Sequence, residues 1–365
     1  MKNSKKREHT VNFGAGPAVI PDEVLKTVQE ELLNWADTGM SVMEISHRSK
    51  EFNILIEQIK NDLKNLVKIP KDFEVLFLQG GATSQFSMIP MNFLNNTKES
   101  EYVLTGYWSQ KAIKEAQKFS KVNISASGKD FNFTTIPSLK KWTVNKKSSY
   151  LHYTSNETIE GIEFDFVPSF DDLPVISDMS SNFLSKPIDI SSHSLIYSGT
   201  QKNIGTSGLT IVIINKNLIN SLSSTIPTMF NYTTHLESDS RYNTPPVFNI
   251  YLSGLVIRWI LENGGLEQME RRNKLKSEQL YNFIDQSNLF YNKVVPKFRS
   301  RMNITFHVED KLIETKFLRE AEKNNLINLK GHRSIGGFRA SLYNAISFED
   351  VEKLIQFMKK FEVSI

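Results

Sequence analysis

The stretch Leu195-Ile196-Tyr197-Ser198-Gly199-Thr200-Gln201-Lys202-Asn203-Ile204-Gly205 joins a short apolar run to a lysine set among small and polar residues. Leu195, Ile196 and Tyr197 read as a strand, and Gly205 and Gly208 follow shortly after Lys202. A lysine held at a strand end among small side chains is open to a planar molecule. Once deprotonated, its amine can form a Schiff base with an aldehyde. Most lysines are solvated surface charges, so the reading of Lys202 depends on the company it keeps.

Similar apolar runs recur upstream and downstream. Val75-Leu76-Phe77-Leu78, Glu101-Tyr102-Val103-Leu104, Tyr150-Leu151-His152-Tyr153, Leu173-Pro174-Val175-Ile176 and Leu209-Thr210-Ile211-Val212-Ile213-Ile214 all read as strands. They are continuous rather than alternating, as in strands buried on both faces, which predicts a mostly parallel sheet covered by helices. Helical periodicity appears at 21–33, with Val24, Leu25, Val28, Leu32 and Leu33 apolar, and again at 52–66. Beyond about residue 265 the charge density rises, with Arg271-Arg272-Asn273-Lys274-Leu275-Lys276 on a helix. A strand at 302–306, a helix at 313–323 and a terminal helix at 347–361 complete a smaller α+β unit. The expected division is a large domain over 17–265 and a small one over 266–365, joined by the N-terminal segment 1–16.

Composition narrows the function. With no cysteine, the chain has no disulfide framework, thiolate metal site or cysteine nucleophile. The histidines are scattered without zinc-ligand spacing, so no metal site is expected. A net charge of +4 on 365 residues is too slight for a nucleic-acid stripe, and suits a small anionic substrate at least as well. No apolar run approaches the ~20 residues that cross a bilayer. The basic start, residues 1–9, has no apolar stretch after it and reads as a solvated tail rather than a secretory signal. The expectation is a cytoplasmic protein that binds neither membrane nor nucleic acid.

In an open parallel sheet, ligands bind beyond the carboxyl ends of the strands. After 75–78 comes Gln79-Gly80-Gly81-Ala82-Thr83-Ser84-Gln85-Phe86, small residues opening a helix, whose bare amides form an anion site. It is not a Walker loop, because the Gly-Lys-Ser/Thr ending is missing. After Val175-Ile176 comes Asp178, a carboxylate suited to the protonated ring nitrogen of a pyridine cofactor. The third strand end leads to Lys202. Phosphate cradle, aspartate and lysine, in that order, suit pyridoxal 5′-phosphate.

Further stretches carry a resemblance that runs nearly end to end. They are Asn12-Phe13-Gly14-Ala15-Gly16-Pro17-Ala18, Met43-Glu44-Ile45-Ser46-His47-Arg48-Ser49, Thr154-Ser155-Asn156-Glu157-Thr158-Ile159-Glu160-Gly161 and Tyr242-Asn243-Thr244-Pro245-Pro246. Gly331-His332-Arg333-Ser334-Ile335-Gly336-Gly337-Phe338-Arg339-Ala340-Ser341 completes the set. With the Lys202 run, the chain resembles the phosphoserine aminotransferases, a family of the class V aminotransferases with fold-type I architecture. The resemblance implies that Lys202 carries the cofactor as a Schiff base and that Asp178 pairs with its ring nitrogen. It implies that Trp108 stacks on the ring and Thr158 bonds at its phenolic side, while Ala82, Thr83 and Gln201 hold the phosphate. It also implies a homodimer, with Asn243 and Thr244 reaching that phosphate from the neighbouring subunit.

The implied reaction moves an amino group between glutamate and 3-phosphohydroxypyruvate, giving O-phosphoserine and 2-oxoglutarate in serine biosynthesis. Arg339 suits the α-carboxylate, since a guanidinium fork binds it in bidentate fashion. His47, Arg48, His332 and Arg333 suit the distal phosphate, or the side-chain carboxylate of glutamate. Some family members carry arginine at the position of Thr83; without it, recognition rests more on His47, His332 and Arg333. The absence of cysteine excludes a cysteine desulfurase. The paired His/Arg segments argue against an alanine–glyoxylate type, which needs no cationic cluster. Another class V enzyme for a different small keto acid, or a cofactor-binding protein without turnover, are the competing expectations.

Overall fold

The computed structural model describes residues 7, 9–170, 173–219 and 226–365. Of the basic start, only Arg7 and His9 fall within these residues, and Arg7 is tied down by an ion pair to Asp22 at 2.7 Å.

The strand runs form one seven-stranded sheet. Its members are β1 (Phe73–Gln79), β2 (Glu99–Leu104), β3 (Lys121–Ser127), β4 (Leu151–Thr154), β5 (Val175–Asp178), β6 (Leu195–Gly199) and β7 (Leu209–Asn215). The spatial order is β1-β7-β6-β5-β4-β2-β3. The pairs β2–β3, β2–β4, β4–β5 and β5–β6 are parallel, whereas β7 runs antiparallel to both β6 and β1. The sheet is therefore mostly parallel, as expected from the continuous apolar runs. Alternate residues feed two cores. Val75, Phe77, Ile196, Ile211 and Ile213 face α1 (Asp22–Glu31), α2 (Lys50–Val67) and α5 (Val247–Glu262). Leu76, Leu78, Ile176, Leu195, Tyr197 and Val212 face α3 (Gly81–Phe93) and α4 (Tyr107–Ala116). Full burial of each such side chain stabilises by about 1.5–3 kcal/mol.

The C-terminal third has its own core. Residues of α6 (Gly265–Gln286), β8 (Asn303–Phe306), α7 (Lys311–Lys323), β9 (Phe338–Ser341) and α8 (Phe348–Val363) pack around Phe290, Phe306, Phe317 and Phe338. Val11 and Phe13 join this core from the N-terminal segment. Helix α6 is shared, because Leu266 and Met269 belong to the sheet's core and Leu280 and Ile284 to the C-terminal one. Two features escape the sequence reading: β3, a mostly polar edge strand, and α5, apolar nearly all round because both its flanks are covered.

Candidate active site

Lys202 lies just past the carboxyl end of β6 and is buried, 9% exposed. The N-terminal segment covers the chain beside it: the Ala18 amide donates to the Gln201 carbonyl at 2.9 Å. Lys202 Nζ donates to Thr158 Oγ1 at 2.6 Å and stands 5.7 Å from the Trp108 ring centroid. Burial lowers the amine to about 8; the charges of Asp178 and Glu157 oppose that shift and Arg339 adds to it. A substantial neutral fraction near pH 8 is what a nucleophilic lysine needs.

Asp178 closes β5 and is paired in register with Thr154 of β4 and Tyr197 of β6. Its Oδ1 accepts from the Ser180 amide at 2.9 Å. Burial raises the carboxyl, against the hydrogen bonds from Ser180, the Lys202 charge and the Tyr197 hydroxyl.

Helix α3 begins directly after β1. Gly80 sits there with φ +95, a conformation open to glycine, and a Cβ would overlap Ser84 Oγ. No side chain caps this N-terminus, so the first-turn amides around Ala82 and Thr83 are free to receive an anion.

The sequence reading assigned no role to Glu157 and Glu160, yet they set the position of Trp108. Both are buried beneath the start of α4. Glu157 accepts from the Trp108 and Ser109 amides at 3.0 and 2.9 Å, and Glu160 accepts from the Tyr107 amide at 2.9 Å. The positive end of the helix dipole stabilises acceptors there. A Cβ at Gly106 would come within 2.5 Å of Glu160 Oε2, so only glycine lets the carboxylates approach. Burial and the neighbouring Glu157 raise Glu160 to about 8. The available signal was the pair of acids in the short 154–161 run, but their target at residues 107–109 is distant in sequence.

Arg339, on β9, reaches the same place: Nη1 donates to the Thr158 carbonyl at 3.4 Å. His332 packs against Tyr107, with ring centroids 5.2 Å apart, and its Nδ1 lies 2.7 Å from Ser334 Oγ. The charges bearing on His332 are Arg339, Arg333 and Lys111, those bearing on His47 are Arg48 and Arg241. One chain thus gathers Lys202, Asp178, Trp108, Thr158, Gln201 and Arg339, with His332 beside them. His47 and Arg48 group instead with Arg241, next to the exposed Asn243 and Thr244.

Three properties fit these residues to pyridoxal phosphate: a buried amine of lowered basicity, a carboxylate that interacts with it, and an uncapped helix start. Among the described residues no group of three or more His, Asp or Glu stands close enough to hold a metal, and no helix is long and apolar enough to cross a membrane.

Comparison with known proteins points the same way. Residues 10–354 match the Aminotransferase class-V family. A phosphoserine aminotransferase of Bacillus cereus is 49% identical over 356 residues, spanning 98% of this chain and 99% of that protein. One from Pseudomonas entomophila is 48% identical over 351 residues, spanning 96% and 97%. The solved phosphoserine aminotransferase of Bacillus circulans subsp. alkalophilus has a TM-score of 0.96 at 43% identity, covering 98% of this chain and 99% of that one. The pyridoxal-phosphate-bound enzyme of Trichomonas vaginalis gives 0.92 at 38%, covering 96% and 99%. With this lysine, this sheet and relatives of such length and identity, the chain belongs to the phosphoserine aminotransferases of the class V aminotransferase family.

Proposed function

We propose that this protein transfers an amino group from glutamate to 3-phosphohydroxypyruvate, yielding 2-oxoglutarate and O-phosphoserine, with pyridoxal 5′-phosphate held on Lys202. The carrying observation is the buried Lys202 amine, lowered to about 8, in contact with Thr158 and facing Asp178 and Trp108. When bound, the cofactor supplies an electron-accepting ring conjugated to the reacting carbon. Asp178 supplies the anion that keeps the ring nitrogen protonated. Trp108, fixed by Glu157, supplies the stacking face, and Ala82, Thr83 and Gln201 receive the phosphate.

Lys202 Nζ, its basicity lowered by burial, takes the proton released from the substrate α-carbon as base and, once protonated, gives it up as acid two atoms away, beyond the amino nitrogen. Arg339 orients the substrate by its α-carboxylate. His332 and Arg333 receive the distal phosphate, and His47 and Arg48, grouped with Arg241, add to the cationic cluster from the neighbouring subunit.

The active unit is a homodimer in the cytoplasm. The exposure of Asn243 and Thr244, and their neighbourhood to His47 and Arg48 through Arg241, support a face that completes the partner's site. Residues 17–265 hold the cofactor, and 266–365 form the smaller unit that brings Arg339 and His332 to it.

Steady-state kinetics with glutamate and 3-phosphohydroxypyruvate test this reading. Parallel double-reciprocal lines and formation of O-phosphoserine are expected. Amino transfer to a non-phosphorylated keto acid, with none to 3-phosphohydroxypyruvate, would refute it.

A further inference from the structure

Behind Asp178, on the sheet face that packs against α3 and α4, lies a chain of polar groups that the proposed reaction does not use. Asp178 and Tyr197 are direct partners across β5 and β6. His152 is paired with Ile176, one same-face step back along β5, so it stands diagonal to Tyr197 across three adjacent strands. His152 Nε2 lies 2.9 Å from the Tyr197 hydroxyl, and Tyr197 in turn is the cross-strand partner of Asp178, close enough for the two side chains to influence each other's charge. All three are buried: His152 is 1%, Tyr197 0% and Asp178 5% exposed.

The direction of the bonds follows from charge. A buried carboxylate is a stronger acceptor than a neutral imidazole, so the Tyr197 hydroxyl donates to Asp178. Its oxygen then accepts from His152 Nε2–H. This makes His152 a neutral imidazole with its proton on Nε2, and His152 Nδ1 indeed has no partner within hydrogen-bond distance. Burial holds that ring far below the usual histidine range, at about 3, so it does not charge at working pH. The stacked Tyr102 ring, 4.8 Å away at 25°, fixes the imidazole plane. Asp178 is otherwise faced by the Ser180 amide, Lys202 and Glu157. Tyr197 is faced by Tyr102 and Tyr232.

We infer that His152 and Tyr197 are positioning residues acting through Asp178: the imidazole holds the phenol, and the phenol holds the carboxylate as an anion aimed at the ring nitrogen of the cofactor. This inference rests on the proposed placing of Asp178. Polar groups are seldom kept in so apolar a layer without a partner, and His152 and Tyr197 partner each other there. Here the arrangement supplies the one acidic group that most needs a donor at its rear.

The test is a pH titration of the visible absorbance of the cofactor-loaded protein, with cofactor retention on dialysis as a second readout. A weaker anion at 178 leaves the ring nitrogen less positive and the lysine–cofactor linkage more basic, so the absorbance midpoint rises. Tyr197→Phe should raise it by about half a unit to one unit, in the direction set by Asp178→Asn, and speed cofactor loss. His152→Phe, which keeps a stacked ring, should raise it by less. The double variant should match Tyr197→Phe alone, because the imidazole acts only through the phenol. Should Tyr197→Phe fail to fold, His152→Phe decides. If Asp178→Asn leaves the midpoint unmoved, the placing of Asp178 fails and the relay with it. If Asp178→Asn moves it while Tyr197→Phe and His152→Phe retain the parent midpoint, the relay alone is overturned.

Discussion

Lys202 Nζ and Thr158 Oγ1 are 2.6 Å apart, joining the end of β6 to the loop after β4. Thr158 also offers its carbonyl to Arg339, so one residue touches both the amine and the guanidinium. Thr158→Val keeps the shape and removes the hydroxyl. A hydrogen bond to a charged group contributes about 1.5–3 kcal/mol, so the turnover rate should fall about ten- to hundredfold in steady-state assays. An unchanged rate would make the contact incidental.

The basicity of Lys202 sets a pH profile. Its amine titrates near 8 because it is buried, against an ordinary value of 10.5. Below that point it is protonated and cannot attack an aldehyde; above it the neutral amine dominates. Capture of pyridoxal phosphate by the cofactor-free protein, followed by visible absorbance, should therefore accelerate through pH 8 and level off above it. A rate still climbing towards 10.5 would show an ordinary, solvated amine.

Glu157 ties the start of α4 to the site. Glu157→Ala leaves the Trp108 and Ser109 amides buried without acceptors, at about 1–3 kcal/mol each. Calorimetry should show the melting temperature falling by several degrees, with weaker quenching of tryptophan fluorescence by bound cofactor. A variant that melts with the parent would show that the amides find other partners.

Much of the fold could be read from the chain. Buried parallel strands need apolar residues on both faces, so β1, β6 and β7 stand out as continuous runs. The edge strand β3 was missed because an edge is half solvated and its residues are mostly polar. Lys202 and Asp178 could be placed beyond strand ends because each follows an apolar run within a few residues. Glu157, Glu160, His152 and Tyr197 were not legible, since their partners are set by strand order and a helix start far away in sequence. The different neighbours of His47 and His332, Arg241 for the one and Arg339 for the other, were likewise invisible, because motif similarity says nothing of which side chains the fold brings together.

Substrate recognition should divide between two arginines. Arg339→Lys keeps the charge and loses the fork, so KM should rise about tenfold or more for both substrates, which share an α-carboxylate. Arg333→Ala should raise KM about three- to tenfold for the phosphorylated acceptor, a rim charge being worth about a kilocalorie. Equal effects on glutamate would move Arg333 away from the phosphate.

Subunit sharing has a complementation test. Lys202→Ala removes one subunit's amine, and a double Asn243→Ala/Thr244→Ala variant removes the contribution proposed for its partner. Refolded together, the two should regain up to about one quarter of parental activity, since half the dimers are mixed and each mixed dimer has one intact site. No recovery, with dimers present by sedimentation, would place Asn243 and Thr244 in their own subunit's site or in none.

The covalent anchor is the centre of the account, and borohydride reduction of the cofactor-loaded protein tests it most directly. Reduction fixes the cofactor to its lysine, and peptide mass spectrometry locates it. The label is predicted on the peptide containing Lys202, and Lys202→Ala should take none. A label on another lysine of the active native protein, or an active protein that cannot be labelled, would contradict it.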